Sequence, residues 1–262
     1  MCDGPPRLEP PTAPASVRRR TVWHRAWGAC TALLGFGVTL LAGAVLLGVV
    51  PELLDDERAF AAASPCPAAA GVVEGCLRDV TATVVSTVIK EAARYDEFSV
   101  TLRGPREVSG DVDMGAPGPL LEDLRPGDVV TVTRWRDYSV AVAKDGRSQQ
   151  TADTPVGEPQ LATAVGSALL SAGVFTAYAG GRVLTRARRY GERGLPRLLV
   201  VHGKAAFGAM LCAVPAMIVG GLTGVPLQTA VWLVLLPVVW WFVRRRELRG
   251  RGRHAAPALR DR

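Results

Sequence analysis

Residues 27–50 read WGACTALLGFGVTLLAGAVLLGVV, twenty-four consecutive positions without a charged side chain. At about 1.5 Å of rise per residue, a helix of that length crosses the roughly 30 Å hydrocarbon layer of a bilayer. Arg18, Arg19, Arg20 and Arg25 precede it. A basic flank before an apolar run also marks a secretory signal, but a signal's apolar core is usually about 7–15 residues, so this run reads as an uncleaved anchor.

Three more runs follow, at 161–181, 198–222 and 225–243, and none contains Asp or Glu. The predicted architecture is four membrane-spanning helices. Charge orients them. Residues 1–26 hold five Lys/Arg against two acids, 182–197 six Arg against one acid, and 244–262 eight Arg against two. Residues 51–158 hold eleven Lys/Arg against nineteen acids, a net of −8. Basic segments stay on the cytoplasmic side. The expectation is a protein of the cell membrane with both termini cytoplasmic, 182–197 as a cytoplasmic loop, 51–158 outside the cytoplasm, and 223–226 as a short outer turn. The tail 1–26 reads as disordered and basic, and 244–262 as a basic tail. Trp23, Trp27, Tyr178, Trp240 and Trp241 sit at the inner ends of the runs, where interfacial aromatics anchor helices. The +7 net charge of the chain is concentrated beside apolar runs, so it speaks for bilayer topology and against nucleic acid.

Within 51–158, residues 51–64 read as a helical or irregular linker. Cys66 and Cys76 follow in a Pro-Cys-Pro and Gly-Cys frame, and an extracytoplasmic setting permits a disulfide between them. Val80–Ile89, Phe98–Leu102, Asp128–Trp135 and Tyr138–Ala143 are rich in β-branched and aromatic residues and bounded by turn residues, the pattern of short strands. Arg125-Pro126-Gly127-Asp128 fits a type II turn and Asp145-Gly146 a hairpin. The expected fold class is therefore membrane α-helical with a small extracytoplasmic all-β domain, an OB-like or SH3-like barrel. Arg134, Trp135, Arg136 and Tyr138 form its candidate interaction surface, although aromatics in a domain with so few also serve as core or strand-pair residues.

Catalytic patterns do not emerge. Gly203-Lys204 lacks the earlier glycine and the following Ser or Thr of a phosphate loop, since Leu198 and Ala205 stand there. The Gly-x-Ser-x-Gly elbow and the His-Glu-x-x-His motif are absent. His24, His202 and His254 all lie in or beside basic flanks, and no His falls in 51–158, so no cofactor and no metal set is expected. No carboxylate is buried in an apolar run, which weakens a coupled-carrier reading. Pro215 and Pro237 are candidate kinks. Small residues recur every four positions at Ala164, Ala168 and Ala172, at Gly173, Ala177 and Gly181, and at Gly220 and Gly224, rows that favour close helix packing or self-association.

The Arg-rich start before Trp27, the Leu124-Arg-Pro-Gly-Asp-Val-Val130 turn and strand, Trp135, and Thr151-Ala-Asp-Thr-Pro155 together resemble uncharacterised multi-pass integral membrane proteins of actinobacteria. The resemblance is one of layout and short motifs and implies no activity. The functional expectation is a non-enzymatic module that holds a β domain outside the cytoplasm for interaction or envelope sensing, its partners being the bilayer, an envelope protein and a second copy of itself. A small transporter or channel accessory subunit is the alternative, and a membrane enzyme is less favoured.

Overall fold

The computed structural model describes residues 15–67, 75–92, 96–193 and 197–253. The chain divides into two compact units, Val50–Pro159 and a second made of Met1–Val49 with Gln160–Arg262. Four helices are long and apolar enough to cross a membrane: Thr21–Ala61, Glu158–Thr185, Leu198–Thr223 and Val225–Arg246.

In the helical unit, α1 (Ala15–Ala44) begins well before Trp27 and ends in a π turn (Val45–Val49); α2 (Val50–Ala61) belongs to the other unit. Only residues 1–14 of the expected N-terminal tail lie outside the described residues. Pro51 has no N–H to give Leu47, and a π turn is one way for a helix to absorb such a gap. Next in this unit come α3 (Glu158–Thr185), α4 (Ala187–Arg193), α5 (Arg197–Leu211), α6 (Ala213–Thr223) and α7 (Val225–Arg253). The segment read as a cytoplasmic loop is thus largely helical, with 194–196 outside the described residues. The C-terminal segment is helical to Arg253, and 254–262 lie outside the description.

Pro215 acts where expected. It cannot donate to the carbonyl four residues back, that of Leu211, and the apolar run breaks there into α5 and α6 at Cys212. Gly224, at φ 92°, ends α6 by donating its N–H to Gly220 O at 2.7 Å, and Pro226 starts α7 where no N–H is needed.

The close packing of α1 on α3 follows a row that four-residue spacing does not show. Gly28 and Gly35 on α1 meet Gly180 and Gly173 on α3, and Gly166, seven residues before Gly173, meets Leu46 of the π turn. A methyl group at Gly35 would overlap the backbone of Ala177, and one at Gly180 the backbone of Ala32. A seven-residue repeat keeps one seam facing its partner along a left-handed crossing. Of the expected rows, Gly173 and Ala177 lie on this seam, whereas Gly181 meets nothing within 4 Å. Ala164 and Ala168 instead pack with Ala213, Ala216 and Trp232 of α6 and α7.

The β unit is one six-stranded antiparallel sheet: β1 (Arg78–Lys90), β2 (Glu97–Arg103), β3 (Gly110–Asp113), β4 (Val129–Trp135), β5 (Tyr138–Lys144) and β6 (Arg147–Gln150), in the order β3-β2-β1-β4-β5-β6. β1 is long enough to pair twice. Its first half runs against β4, with Ala82 opposite Val130, and its second half against β2, with Thr87 opposite Val100. A bulge between Val84 and Ser86 bends it between the two pairings. Alternation places Ala82, Val84, Val100, Leu102, Val130, Val132 and Val142 on one face, where Met114, Leu120, Leu121 and Leu124 cover them. The opposite face carries Asp79, Thr81, Thr131 and Thr133, the Thr133 hydroxyl donating to Asp79 at 2.7 Å.

The expected barrel is a correction: the sheet does not close. Edge strands β3 and β6 have four residues each and pair on one side only. The gap between them is spanned by the Ala152 N–H to Asp113 O bond at 2.8 Å and by the side chain of Gln149. Gln149 is buried, accepts from Leu120 N–H (2.8 Å) and Leu121 N–H (3.1 Å), and donates to Ala116 O (2.8 Å) and Met114 O (3.3 Å). Both expected turns are present. Gly127 takes φ 94° and Asp128 N–H bonds Arg125 O at 3.0 Å, while Asp145 and Gly146 both take positive φ, as a type I′ hairpin needs.

Candidate functional site

The four residues expected to form an interaction surface cluster at the tight connection between β4 and β5. Arg136 turns the corner at φ 50°, a left-handed conformation that is strained for a side-chain-bearing residue. What stabilises it is visible. Its guanidinium lies 4.4 Å from the centroid of the Trp135 ring and pairs with Asp56. Trp135 itself is fully buried. Phe60 meets it edge-on at 5.4 Å, Tyr138 stacks on it at 5.9 Å, and its indole N–H donates to Gly75 O at 3.3 Å. The ring is therefore the floor of the corner, and Arg134, Arg136 and Tyr138 are its accessible parts.

The neighbours of the corner come from far along the chain. Asp56 and Phe60 sit on α2, within the segment expected as a helical or irregular linker, and this helix meets Trp135 and Arg136. Gly75 is held beside Trp135 by a strap: Cys66 and Cys76 form a disulfide with Cα atoms 5.0 Å apart, Cys66 N–H donates to Leu77 O, and Leu77 N–H donates to Ser64 O, both at 2.9 Å. Tyr138 O–H reaches Glu158 at 3.3 Å. Burial, then the nearby Glu158 carboxylate, raises the Tyr138 hydroxyl above its ordinary pKa of 10.0. Arg134 donates to Arg136 O at 3.2 Å, while its buried Nε has no acceptor. No local sequence signal joins Trp135 to Gly75 or Arg136 to Asp56, which are 60 and 80 residues apart.

A second concave feature lies within the helical unit. An apolar groove of about 520 Å³ runs between α3, α5 and α7, floored by Ala205, Ala206 and Ala209. One end carries three rings in a row: His202 is 5.1 Å from Tyr178 and 5.0 Å from Trp240. The His202 Nδ1 lies 2.7 Å from Leu198 O, which places a proton on that nitrogen. Trp232 is anchored by its N–H to Ala209 O at 3.0 Å. Sequence reading treats Tyr178, His202 and Trp240 as separate interfacial residues. The signal that joins them is the stripe at four-residue spacing formed by Trp232, Leu236 and Trp240 beside that of Val174 and Tyr178.

Among the described residues, no three or more His, Cys, Asp and Glu side chains converge as a metal set. Compared with known proteins, the chain matches no family model, no curated protein and no solved structure. Geometry alone supports the functional reading.

Proposed function

We propose that this protein is a cell-membrane module that crosses the bilayer four times, keeps both termini in the cytoplasm, and presents the β unit outside for recognition of an envelope partner. The layout shared with actinobacterial multi-pass membrane proteins is compatible with this role. The observation that carries the reading is the Arg136 corner. A left-handed arginine costs free energy, of order 1–3 kcal/mol, and such strain persists where the surroundings over-determine it, typically at recognition or switch positions. Here Asp56 and a buried Trp135, whose own N–H is held by the disulfide-flanked Gly75, fix one guanidinium at the tip of a turn. Arg134, beside the Asp56-paired Arg136, adds a positive charge with no ion-pair partner among the described residues in a segment of net charge −8, suited to a carboxylate-bearing partner.

The test combines topology and contact in the full chain in cells. A cysteine placed at Asp145 is expected to react with a membrane-impermeant thiol reagent and one at Arg188 is not. A photo-crosslinking residue at Tyr138 is expected to yield a discrete adduct that Arg136→Glu abolishes and that the same probe at Asp145 does not form. Labelling of Arg188Cys from outside overturns the topology. Absence of a Tyr138 adduct, or its survival in Arg136→Glu, overturns the recognition role.

A further inference from the structure

The groove of the helical unit has no part in recognition at the β unit, yet it has the attributes of a binding site. Its volume of about 520 Å³ falls in the range of ligand pockets, roughly 300–1,000 Å³. Its walls are apolar, and it is open along its side, where Val174 and Tyr178 are 52% and 38% exposed. Ser171 and Trp232 also line it, but their polar atoms are bonded to Ser167 O and Ala209 O, so the polar groups left to a ligand lie at one end. The Tyr178 hydroxyl, His202 Nε2 and the Trp240 indole N–H make no hydrogen bond among the described residues.

Positive charge continues the same two stripes one turn further. Arg182 follows Tyr178 by four residues, its guanidinium 5.6 Å from that ring, and Arg244 follows Trp240 by four. Neither has an ion-pair partner among the described residues, and no carboxylate lines the groove. Arg186, Arg188 and Arg189, next along the chain, line a polar cavity of about 640 Å³ with Thr185 and likewise lack a described acidic partner. An apolar channel ending in aromatic hydrogen-bonding groups and uncompensated guanidiniums is complementary to a molecule with a hydrocarbon tail and an anionic head.

We infer that this groove binds one anionic phospholipid of the cytoplasmic leaflet, an acyl chain lying over Ala205, Ala206 and Ala209 and the phosphate held at the mouth by Arg182, Arg244 and the Trp240 N–H. The inference rests on the membrane topology proposed above. Guanidinium groups between helices at the cytoplasmic face favour anionic headgroups, and each adds to the preference. A zwitterionic lipid of the same chains fits the channel but gains less from the arginines.

The test is native mass spectrometry of the full chain, released from vesicles that contain equal phosphatidylglycerol and phosphatidylcholine with matched acyl chains. One phosphatidylglycerol is expected to stay bound, with a preference of roughly tenfold or more over phosphatidylcholine. The double variant Arg182→Gln, Arg244→Gln is expected to lose that preference while keeping its helical circular dichroism, and Arg246→Gln to retain it. Ala206→Trp, which fills the floor, is expected to lose both lipids. Equal retention of the two lipids by the unaltered protein, or an undiminished preference in the double variant, overturns the inference. The thiol-labelling experiment reads topology separately, so a correctly inserted protein that retains no lipid sinks only this site.

Discussion

Gln149 uses its whole hydrogen-bonding capacity at one place. Its amide oxygen takes two backbone N–H groups and its amide nitrogen gives to two backbone carbonyls, all in the loop that covers the sheet. Replacing it by Leu keeps the bulk and strands three buried backbone groups, those of Leu120, Leu121 and Met114, each worth about 1–3 kcal/mol. Gln149→Leu is therefore expected to destabilise the β unit by at least about 3 kcal/mol, read by urea denaturation followed in the near-ultraviolet. Asp128 does comparable work at the surface. It accepts from Lys144 Nζ and from Arg125 N–H, both at 2.7 Å, and the Lys144 bond, then the Arg125 one, lowers its pKa below the ordinary 3.8. A carboxyl with a depressed folded pKa contributes its full stabilisation above the unfolded value and loses it as pH falls through the folded one. The thermal midpoint of the β unit should thus drop in acid below pH 3.8. Asp128→Asn should flatten that part of the profile, and an unchanged acid limb would refute the assignment.

At the scale of elements, the glycine seam makes a sharp contrast available. Gly35 faces the backbone of Ala177, whereas Gly37, two residues on, has nothing within 4 Å. Gly35→Ala is expected to cost about 1–3 kcal/mol through overpacking, and Gly37→Ala to stay within about 0.5 kcal/mol, measured by unfolding in mixed detergent. The same seam shows where sequence reading stops. Spacings of four were visible and mark part of the packing, since Ala164 and Ala168 pack on α6 and α7 and Gly173 and Ala177 lie on the seam. The seam itself has spacing seven, and the facing helix singles that row out. The strands tell a similar story. β1, β2, β4 and β5 are legible because Val and Thr alternate and because Arg125–Asp128 and Asp145–Gly146 punctuate them. Gly110-Asp-Val-Asp113 and Arg147-Ser-Gln-Gln150 carry little strand propensity. They are strands because Ser99 faces Asp113 and Ala141 faces Gln150 in a register set by their neighbours. The open seam could not be read, since closure depends on those two short edges. Trp135 to Tyr138 was legible as a cluster because it is local in sequence. Asp56, Phe60 and Gly75 were not, because folding alone brings them there.

For the whole molecule, the charge asymmetry of the sequence and the division into two units coincide to within a residue or two, at Val50 and Pro159. One covalent device belongs to this scale, because it depends on compartment. The Cys66–Cys76 disulfide closes a short loop, with a sequence separation of 10, and a cross-link of that kind stabilises by about 2–3 kcal/mol through restriction of the unfolded chain. It also fixes Gly75, the acceptor for Trp135. The Cys66→Ser, Cys76→Ser pair is expected to lower β-unit stability by that amount under oxidising conditions. A reductant should bring the unaltered protein to the same level and leave the double variant unchanged, so equal stability of the two before reduction would contradict the role.

The unclosed sheet bears on how any partner can be met. A long free edge invites another chain to add a strand, an attachment that uses backbone groups and tolerates many sequences. Here the two edges are four residues each, and a stapled seam lies between them. Strand addition is thereby disfavoured on both sides. Association through this unit has to be written in side chains, so it should be selective, and single substitutions should be enough to break it.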